Sequence, residues 1–166
     1  MKKYYTFLIQ AALLMVISFA TSSCKNKTPD AETQAMKSNE AKFDNKLQEK
    51  DAEFMVKAAE LSLEEIILGK LAEQKGGSSH LVALGKMMQL HHQKSIDELT
   101  ALAKTKMITI PTTPTNDINE AYSKLDKKTA GKEFDKTYAD MMVEGHERAI
   151  RLFEMIAPAF RGKPQA

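Results

Sequence analysis

The chain has 166 residues, enough for one domain and a leader. It has no tryptophan, seven glycines and five prolines, and this composition favours helices over a β-sheet. Its 24 basic side chains outnumber the 22 acidic ones by two, and Lys2 and Lys3 at the N-terminus account for that excess. The remainder of the chain is balanced in charge, so nothing in its composition argues for nucleic-acid binding, which requires a basic face.

The first 23 residues have the pattern of an export signal. Lys2 and Lys3 precede an apolar run, FLIQAALLMVISFA, which is too short for a comfortable membrane span. TSSC follows and places small residues before Cys24, the only cysteine, so an internal disulfide is excluded. The segment resembles the lipobox of bacterial lipoproteins, in which the cysteine carries lipid and becomes the new N-terminus. We therefore expect a signal peptide over residues 1–23 and a lipid on Cys24.

The residues after Cys24 indicate where the anchor holds the protein. Lys25, Asn26 and Lys27 follow it, and no acidic run resembling a surface-export tag is present. We therefore expect the protein at the periplasm-facing leaflet of the outer membrane. An uncleaved membrane anchor and a plain secretory signal with a chance cysteine are the alternatives.

Composition divides the rest of the chain into a tether, a domain and a tail. Residues 24–50 are mostly Lys, Asn, Glu, Gln, Thr and Ala, which predicts a flexible tether. Residues 51–157 have helical periodicity and predict one folded domain. Residues 158–166 predict a disordered tail.

Three long helices and one short helix are predicted in this domain. They cover residues 51–75, 79–104, 117–126 and 132–157. Asp51 is the predicted N-cap of the first helix and Gly76 its stop, while Pro158 is predicted to end the last one. No segment predicts a strand. The sequence therefore predicts an all-α protein, built as an antiparallel helical bundle.

Each long helix carries one apolar stripe, and each stripe includes a titratable residue. The stripes are Phe54, Ala58, Leu61, Leu68 and Ala72; Leu81, Leu84, Met88, His92, Ile96, Leu99 and Ala103; and Phe134, Tyr138, Met142, His146, Ala149 or Ile150, Phe153 and Ile156. Glu65 lies on the first stripe, whereas Glu64 is off it. Because glutamate is almost never buried without a partner, we expect Glu65, His92 and His146 to meet inside the bundle.

The pattern Met-x-x-x-His occurs twice, as Met88 with His92 and as Met142 with His146. Residues four apart lie on one helix face, so each thioether is close to its imidazole. These four side chains and Glu65 are the candidate metal ligands. Imidazole with thioether suits copper, whereas carboxylate with imidazole suits iron, zinc or manganese. A structural polar cluster that only orders the core is the alternative.

The sequence argues against an enzyme. A di-iron oxidase needs Glu-x-x-His on two helices and further carboxylates, but Gln89 and Val143 stand three residues before His92 and His146. The sequence also has no Ser-His-Asp pattern, phosphate-binding glycine loop, CxxC or HExxH motif. An oxidase-like enzyme is therefore the least favoured interpretation.

Three stretches of the domain carry a family resemblance. They are DAEFMVKAAELSLEEIILGKLAEQ, MMQLHHQKSIDELTALAK and FDKTYADMMVEGHERAIRLFEMIA. They resemble a bacterial family of exported proteins known as domain of unknown function 4142. The family's Met-x-x-Asp-His pattern fits twice, with His91 and Gly145 in place of the two Asp residues. The resemblance implies a ferritin-like helical bundle, and it names no activity.

The resemblance also implies an incomplete bundle. Members of the family usually continue after Leu-Phe-Glu into another long helix, whereas this sequence ends nine residues after Ala157. We therefore expect a bundle that lacks the family's last helix and has an open apolar groove. A second copy of the chain or another protein is expected to cover that groove.

These observations together predict a function. The sequence predicts an envelope-anchored periplasmic lipoprotein that binds a transition-metal ion such as copper and is not an enzyme. Its expected partners are the membrane, through the lipid on Cys24, and a protein across the groove. The alternative function is a structural or protein-interaction module whose Glu/His cluster only orders the core.

Overall fold

The structure is a computed structural model that describes the backbone of residues 29–161 and side chains through Ile156. Its five helices are α1 (Ala31–Glu40), α2 (Lys46–Lys75), α3 (Ser79–Thr105), α4 (Asn116–Asp126) and α5 (Lys132–Arg161). No strand occurs between residues 29 and 161. The predicted all-α bundle of three long helices and a short one is confirmed, with α1 as an addition, while the ferritin-like arrangement stays a prediction.

Side chains of the expected type begin three of the helices. Asn45 accepts a hydrogen bond from the backbone N–H of Leu47 and caps α2, and Ser78 and Thr115 cap α3 and α4 in the same way. The predicted N-cap Asp51 is therefore wrong, because α2 begins earlier, at Lys46. The predicted stop at Gly76 is confirmed as the C-cap of α2.

Helix α1 lies where the sequence predicts a flexible tether. It packs against α2, and Ala35 and Phe43 are buried. Asn39, also buried, binds the backbone of Thr109 twice, since its amide N–H donates to the carbonyl (2.8 Å) and its oxygen accepts from the N–H (2.7 Å). The tether prediction is wrong for this stretch, because the bonds that hold it join residues 70 positions apart and leave no local pattern.

Helix α5 continues past the predicted stop at Pro158 and ends at Arg161. Proline lacks a backbone donor, but its fixed φ is compatible with a helix. Near a helix end it therefore removes one backbone hydrogen bond without ending the element. The predicted disordered tail over residues 158–166 is therefore wrong for residues 158–161, which belong to this helix.

Helix α2 is the centre of the bundle, and α3 and α5 both run antiparallel to it. A Cβ added to Gly69 of α2 would lie 2.8 Å from the carbonyl oxygen of Gly85 in α3, so only glycines allow this close crossing. On the other side, Arg148 of α5 binds Glu64 near the middle of α2, and Asp135 binds the N–H of Gly77 beyond its end. Helices α3 and α5 are consequently parallel to each other, and they make almost no close backbone contact.

The apolar residues of α5 face two directions. Phe134, Tyr138, Met142 and Leu152 are buried against the rest of the bundle. Val143, Ile150 and Phe153 are 61%, 57% and 57% exposed, and with the half-exposed His146 they form a surface that we call the open stripe. The inward placement predicted for Phe153 is therefore wrong, and of the two alternatives Ala149 and Ile150 it is Ala149 that is partly buried. The buried face instead follows Met142, Gly145 and Leu152, which are spaced three and seven residues apart.

The predicted signal peptide and Cys24 lie outside the described residues. From residue 29 to residue 161, the structure has no helix with the length and apolar character needed to span a membrane.

Candidate metal centre

The structure brings together the three titratable residues of the predicted stripes. Glu65 of α2, His92 of α3 and His146 of α5 each offer a ligand atom, and these atoms lie within 4.8 Å of one another. The imidazole rings meet edge to face, with centroids 6.0 Å apart. Glu65 Oε1 lies 3.5 Å from His146 Nδ1. The predicted convergence is confirmed, but the predicted interior position is wrong for His146, whose side chain is half exposed. A metal-binding role for the cluster stays a prediction.

Gly145 makes room for the carboxylate in this centre. A Cβ at position 145 would lie 2.7 Å from Glu65 Oε1, which is closer than two such atoms can approach. Any side chain at position 145 would therefore collide with the Glu65 carboxylate unless one of them moved.

His146 is held by its own helix. Its Nδ1 lies 2.8 Å from the backbone carbonyl oxygen of Met142, which can only accept, so Nδ1 carries the proton. The lone pair is then on Nε2, the arrangement typical of histidines that bind metals. Half of the side chain is exposed, so His146 lies at the mouth of the cluster rather than inside it.

Several buried polar atoms around the cluster have no hydrogen-bond partner among the described residues. They are Glu65 Oε2, His92 Nδ1 and the Tyr138 hydroxyl, with Arg148 Nε as a fourth such atom. Buried polar atoms are normally paired, and leaving one unpaired costs about 1–3 kcal/mol. Three of these atoms therefore lie in or next to the Glu65–His92–His146 cluster without a partner from the described part of the chain.

The charges of the cluster depend on its burial. Burial raises the pKa of Glu65 to about 7, and the neighbouring Glu64 adds to this, while His146 and Arg148 act against it. Burial also lowers the pKa of His92, helped by His146 and His91. His92 is therefore neutral near pH 7 and has a lone pair to offer, whereas Glu65 exchanges its proton in the same range.

An ion pair next to the cluster was not predicted. Arg148 donates to Glu64 over 2.7 Å, and Glu64 is buried although the sequence places it off the apolar stripe. Tyr138 was predicted only as an apolar stripe residue, yet burial and then the Glu65 charge raise its pKa. The sequence could have indicated Arg148 through its position two residues after the candidate ligand His146.

The two candidate methionines pack in the apolar core. Met142 is buried, and Met88 is partly buried, in the cluster that contains Leu68, Leu71 and Tyr138. Each lies one helical turn before its histidine. A thioether ligand role for Met88 and Met142 stays a prediction. The other histidines, His80 and His91, are exposed and do not belong to the cluster.

The fold and the site define a class of protein: a helical bundle in which one buried carboxylate faces two imidazoles from neighbouring helices. The chain belongs to the family described as Domain of unknown function (DUF4142), which matches residues 33–163. The predicted family is thus confirmed, and its description names no activity. The match includes most of α1. Neither the comparison with curated proteins nor that with solved structures gives a match.

Proposed function

We propose that this protein binds one divalent transition-metal ion through Glu65, His92 and His146, and that it does so without catalysis. The observation that carries the proposal is the convergence of three ligand atoms within 4.8 Å. One carboxylate and two imidazoles are a common ligand set for such ions. The buried atoms without partners lie at the same place and support the proposal.

The unpaired atoms also favour a bound ion over a purely structural polar network. A network that only orders the core is expected to satisfy its own donors and acceptors. Here Glu65 Oε2 and His92 Nδ1 are buried and unpaired among the described residues. A metal ion would use a carboxylate oxygen and an imidazole lone pair, so its binding would offset the cost of burying them.

The ligand set narrows the choice of ion. Imidazole nitrogens disfavour Ca²⁺ and Mg²⁺, which prefer oxygen ligands. Among first-row divalent ions Cu²⁺ binds nitrogen and oxygen ligands most strongly, and Zn²⁺ also suits this set. We therefore propose Cu²⁺ as the first ion to test and Zn²⁺ as the second.

The sequence supports an anchored location and no enzymatic activity. Cys24, which follows the signal-like segment, is proposed to carry lipid and to hold the domain at the periplasm-facing leaflet of the outer membrane. Gln89 and Val143 stand where a di-iron oxidase would need glutamates. Replacing Cys24 with serine should release the protein from the membrane fraction or stall its processing, and an unmodified Cys24 in the mature protein would contradict the anchor.

Metal titration of the purified, chelator-treated protein tests the main proposal. We expect one Cu²⁺ per chain, and we expect Glu65→Gln or His146→Ala to weaken binding about tenfold or more. His80→Ala is the matched control, because His80 is exposed and lies about 18 Å along α3 from His92, at 1.5 Å per residue. Equal affinities of the wild type and His146→Ala would contradict the proposal.

The second candidate is a protein-interaction module, and the open stripe of α5 favours it. Val143, Ile150 and Phe153 are more than half exposed, although soluble proteins rarely leave aligned apolar residues uncovered. A second copy of the chain or another protein is the proposed cover. Light scattering at micromolar concentration should then give a mass above that of one chain. A monomer that binds no hydrophobic dye would contradict this candidate.

A further inference from the structure

A groove lies between α3 and α5, with α2 as its floor. The two helices are parallel and make almost no close backbone contact with each other. His92 and His146 meet at one end of the groove, and Phe54 of α2 meets Phe153 towards the other end. The wall on α5 is the open stripe. We call this space the α3–α5 groove.

Both walls of the groove have a heptad pattern. The open stripe consists of Val143, His146, Ile150 and Phe153, which are three or four positions apart. The wall on α3, which we call the α3 seam, has the same alternation in Met88, His92, Ser95, Leu99 and Leu102. Alternating steps of three and four residues keep a narrow seam in line, as in helices that pack lengthwise against each other. The α3–α5 groove therefore suits a helix better than a strand or a loop.

The outer flank of the open stripe is acidic. In a heptad, the residues directly beside the seam are those that reach a partner helix. Met142 is buried and Ala149 partly buried on the inner flank, which faces the bundle. Glu147 and Glu154 lie on the outer flank, seven residues apart, and both are exposed. A helix in the groove would therefore have two carboxylates beside it on this wall.

The outer flank of the α3 seam is similar. Ile96 and Ala103 lie on the inner flank and are buried, whereas His91 and Glu98 lie on the outer flank and are exposed. Over residues 88–102 and 143–154, the outer flanks of the two walls thus carry three carboxylates and neither a lysine nor an arginine. The charge of the groove edges is negative on both sides.

Local ion pairs leave these carboxylates available to a partner. Glu98 lies 3.9 Å from Lys94, and Glu147 lies 3.7 Å from Arg151, each within its own helix. All four side chains are more than half exposed. Exposed pairs of this kind contribute little free energy, so a cation on a docked helix can share or replace them.

The same charges disfavour a second copy of α5 in the groove. An antiparallel pair of open stripes would place the two acidic outer flanks against each other, and facing like charges are destabilising. A parallel pair would place each outer flank against an inner flank, where Met142 is already buried in its own bundle. The fitting occupant is therefore a helix of different charge.

We propose that the α3–α5 groove binds an amphipathic α-helix of another protein, one with an apolar heptad seam and with lysine or arginine on both flanks of that seam. The inference rests on the interaction-module candidate, for which it names the chemistry of the partner. Apolar residues of the helix cover the open stripe and the α3 seam, while its cations meet Glu98, Glu147 and Glu154. Since His92 and His146 lie on the two walls, the helix also covers the exposed side of the metal centre.

The test measures the binding of synthetic peptides to the purified protein in the presence of a chelator. Two helical peptides of three heptads carry leucine on the seam and either lysine or glutamate on its flanks, and a third has the lysine composition with a scrambled seam. Fluorescence anisotropy gives the three affinities. At low salt we expect the lysine peptide to bind about tenfold or more tighter than the other two. Its advantage over the glutamate peptide should shrink as salt is raised.

Substitutions locate the binding in the groove. Glu154→Lys should weaken the lysine peptide about fivefold and strengthen the glutamate peptide, because it reverses a charge on the outer flank. Glu120→Lys is the matched control, since Glu120 is exposed on α4 and its substitution changes the net charge equally. Ile150→Ser should weaken both peptides, because it removes apolar surface that either seam would cover.

Several outcomes would overturn the inference. They are equal affinities for the lysine and glutamate peptides, equally tight binding of the scrambled peptide, and equal effects of Glu154→Lys and Glu120→Lys. A dimer that Ile150→Ser dissociates would identify a second copy as the occupant and would overturn it as well. Metal binding by Glu65, His92 and His146 is measured without a peptide, so its failure is distinguishable from the failure of the groove.

Discussion

The two halves of α5 have similar apolar content and different surroundings. In the first half, Phe134 and Tyr138 are fully buried among residues of α2, α3 and α4. In the second half, Ile150 and Phe153 are each 57% exposed, and the rings of Phe153 and Phe54 meet in a T-shaped contact. Leu152, which lies between them in the sequence, is nevertheless buried. The second half is therefore covered on the Leu152 face alone, and His146 lies at the boundary between the two halves.

The largest expected effect comes from emptying the covered half. Phe134→Ala removes a fully buried ring and should cost about 3–5 kcal/mol of unfolding free energy. Phe153→Ala, the matched change in the open half, should cost about 1 kcal/mol or less. Urea unfolding of both variants measures the contrast. Similar losses would show that the two halves are equally covered in solution.

The stability of the protein should depend on pH through Glu65, which lies beside His146 at the boundary between the two halves. Folding raises the pKa of Glu65 from its usual 4.5 to about 7, so between these pH values the folded chain holds a proton that the unfolded chain has lost. Stability therefore falls as the pH rises from about 4.5 to 7, by about 3 kcal/mol at most, and Glu65→Gln should lack this fall.

The wild type and Glu65→Gln are compared in the presence of a metal chelator. The difference between their pH–stability curves then reports the titration of Glu65. Burial lowers the pKa of His92 from 6.5, which has the opposite sign: it destabilises the folded chain as the pH falls below that value. Because His92 is present in both proteins, its contribution largely cancels in the difference. Parallel pH–stability curves would mean that Glu65 does not hold its proton when the chain folds.

A smaller effect tests whether α1 belongs to the covered part of the molecule. Asn39→Ala removes two hydrogen bonds to the backbone of Thr109 and should cost about 1–3 kcal/mol. Hydrogen exchange of the α1 amides should become faster as well. Thr33→Ala, at an exposed position of the same helix, is the control. If the unfolding free energy and the hydrogen exchange of the α1 amides were unchanged, this segment would behave in solution as the flexible tether that the sequence predicts.

The smallest effect is expected on the open stripe. Ile150→Ser should change the unfolding free energy by no more than about 0.5 kcal/mol, because the side chain is already mostly in water. The same change should reduce the binding of a hydrophobic dye. A loss of 2 kcal/mol or more would show that a part of the chain, or a second copy, covers Ile150 in solution.

The candidate site was largely predictable, because its three titratable residues lie on helical stripes that the sequence displays. Glu65, His92 and His146 each occupy a stripe position, and stripes of adjacent helices face one another. The Glu64–Arg148 pair was not predictable, since its partners are 84 residues apart and Glu64 lies off the stripe. For the same reason Glu64→Ala is not a neutral control for Glu65→Ala.

The sequence by itself determined the family, the presence of α2 to α5 and the titratable residues on their apolar stripes, because helical periodicity acts between residues a few positions apart. Only the tertiary structure decided which faces are covered. Asn39 finds Thr109, and Gly145 leaves room for Glu65, through contacts between distant parts of the chain. The exposure of the open stripe has the same physical reason. The sequence of a helix shows which of its residues are apolar, but their burial depends on whether another helix packs against that face.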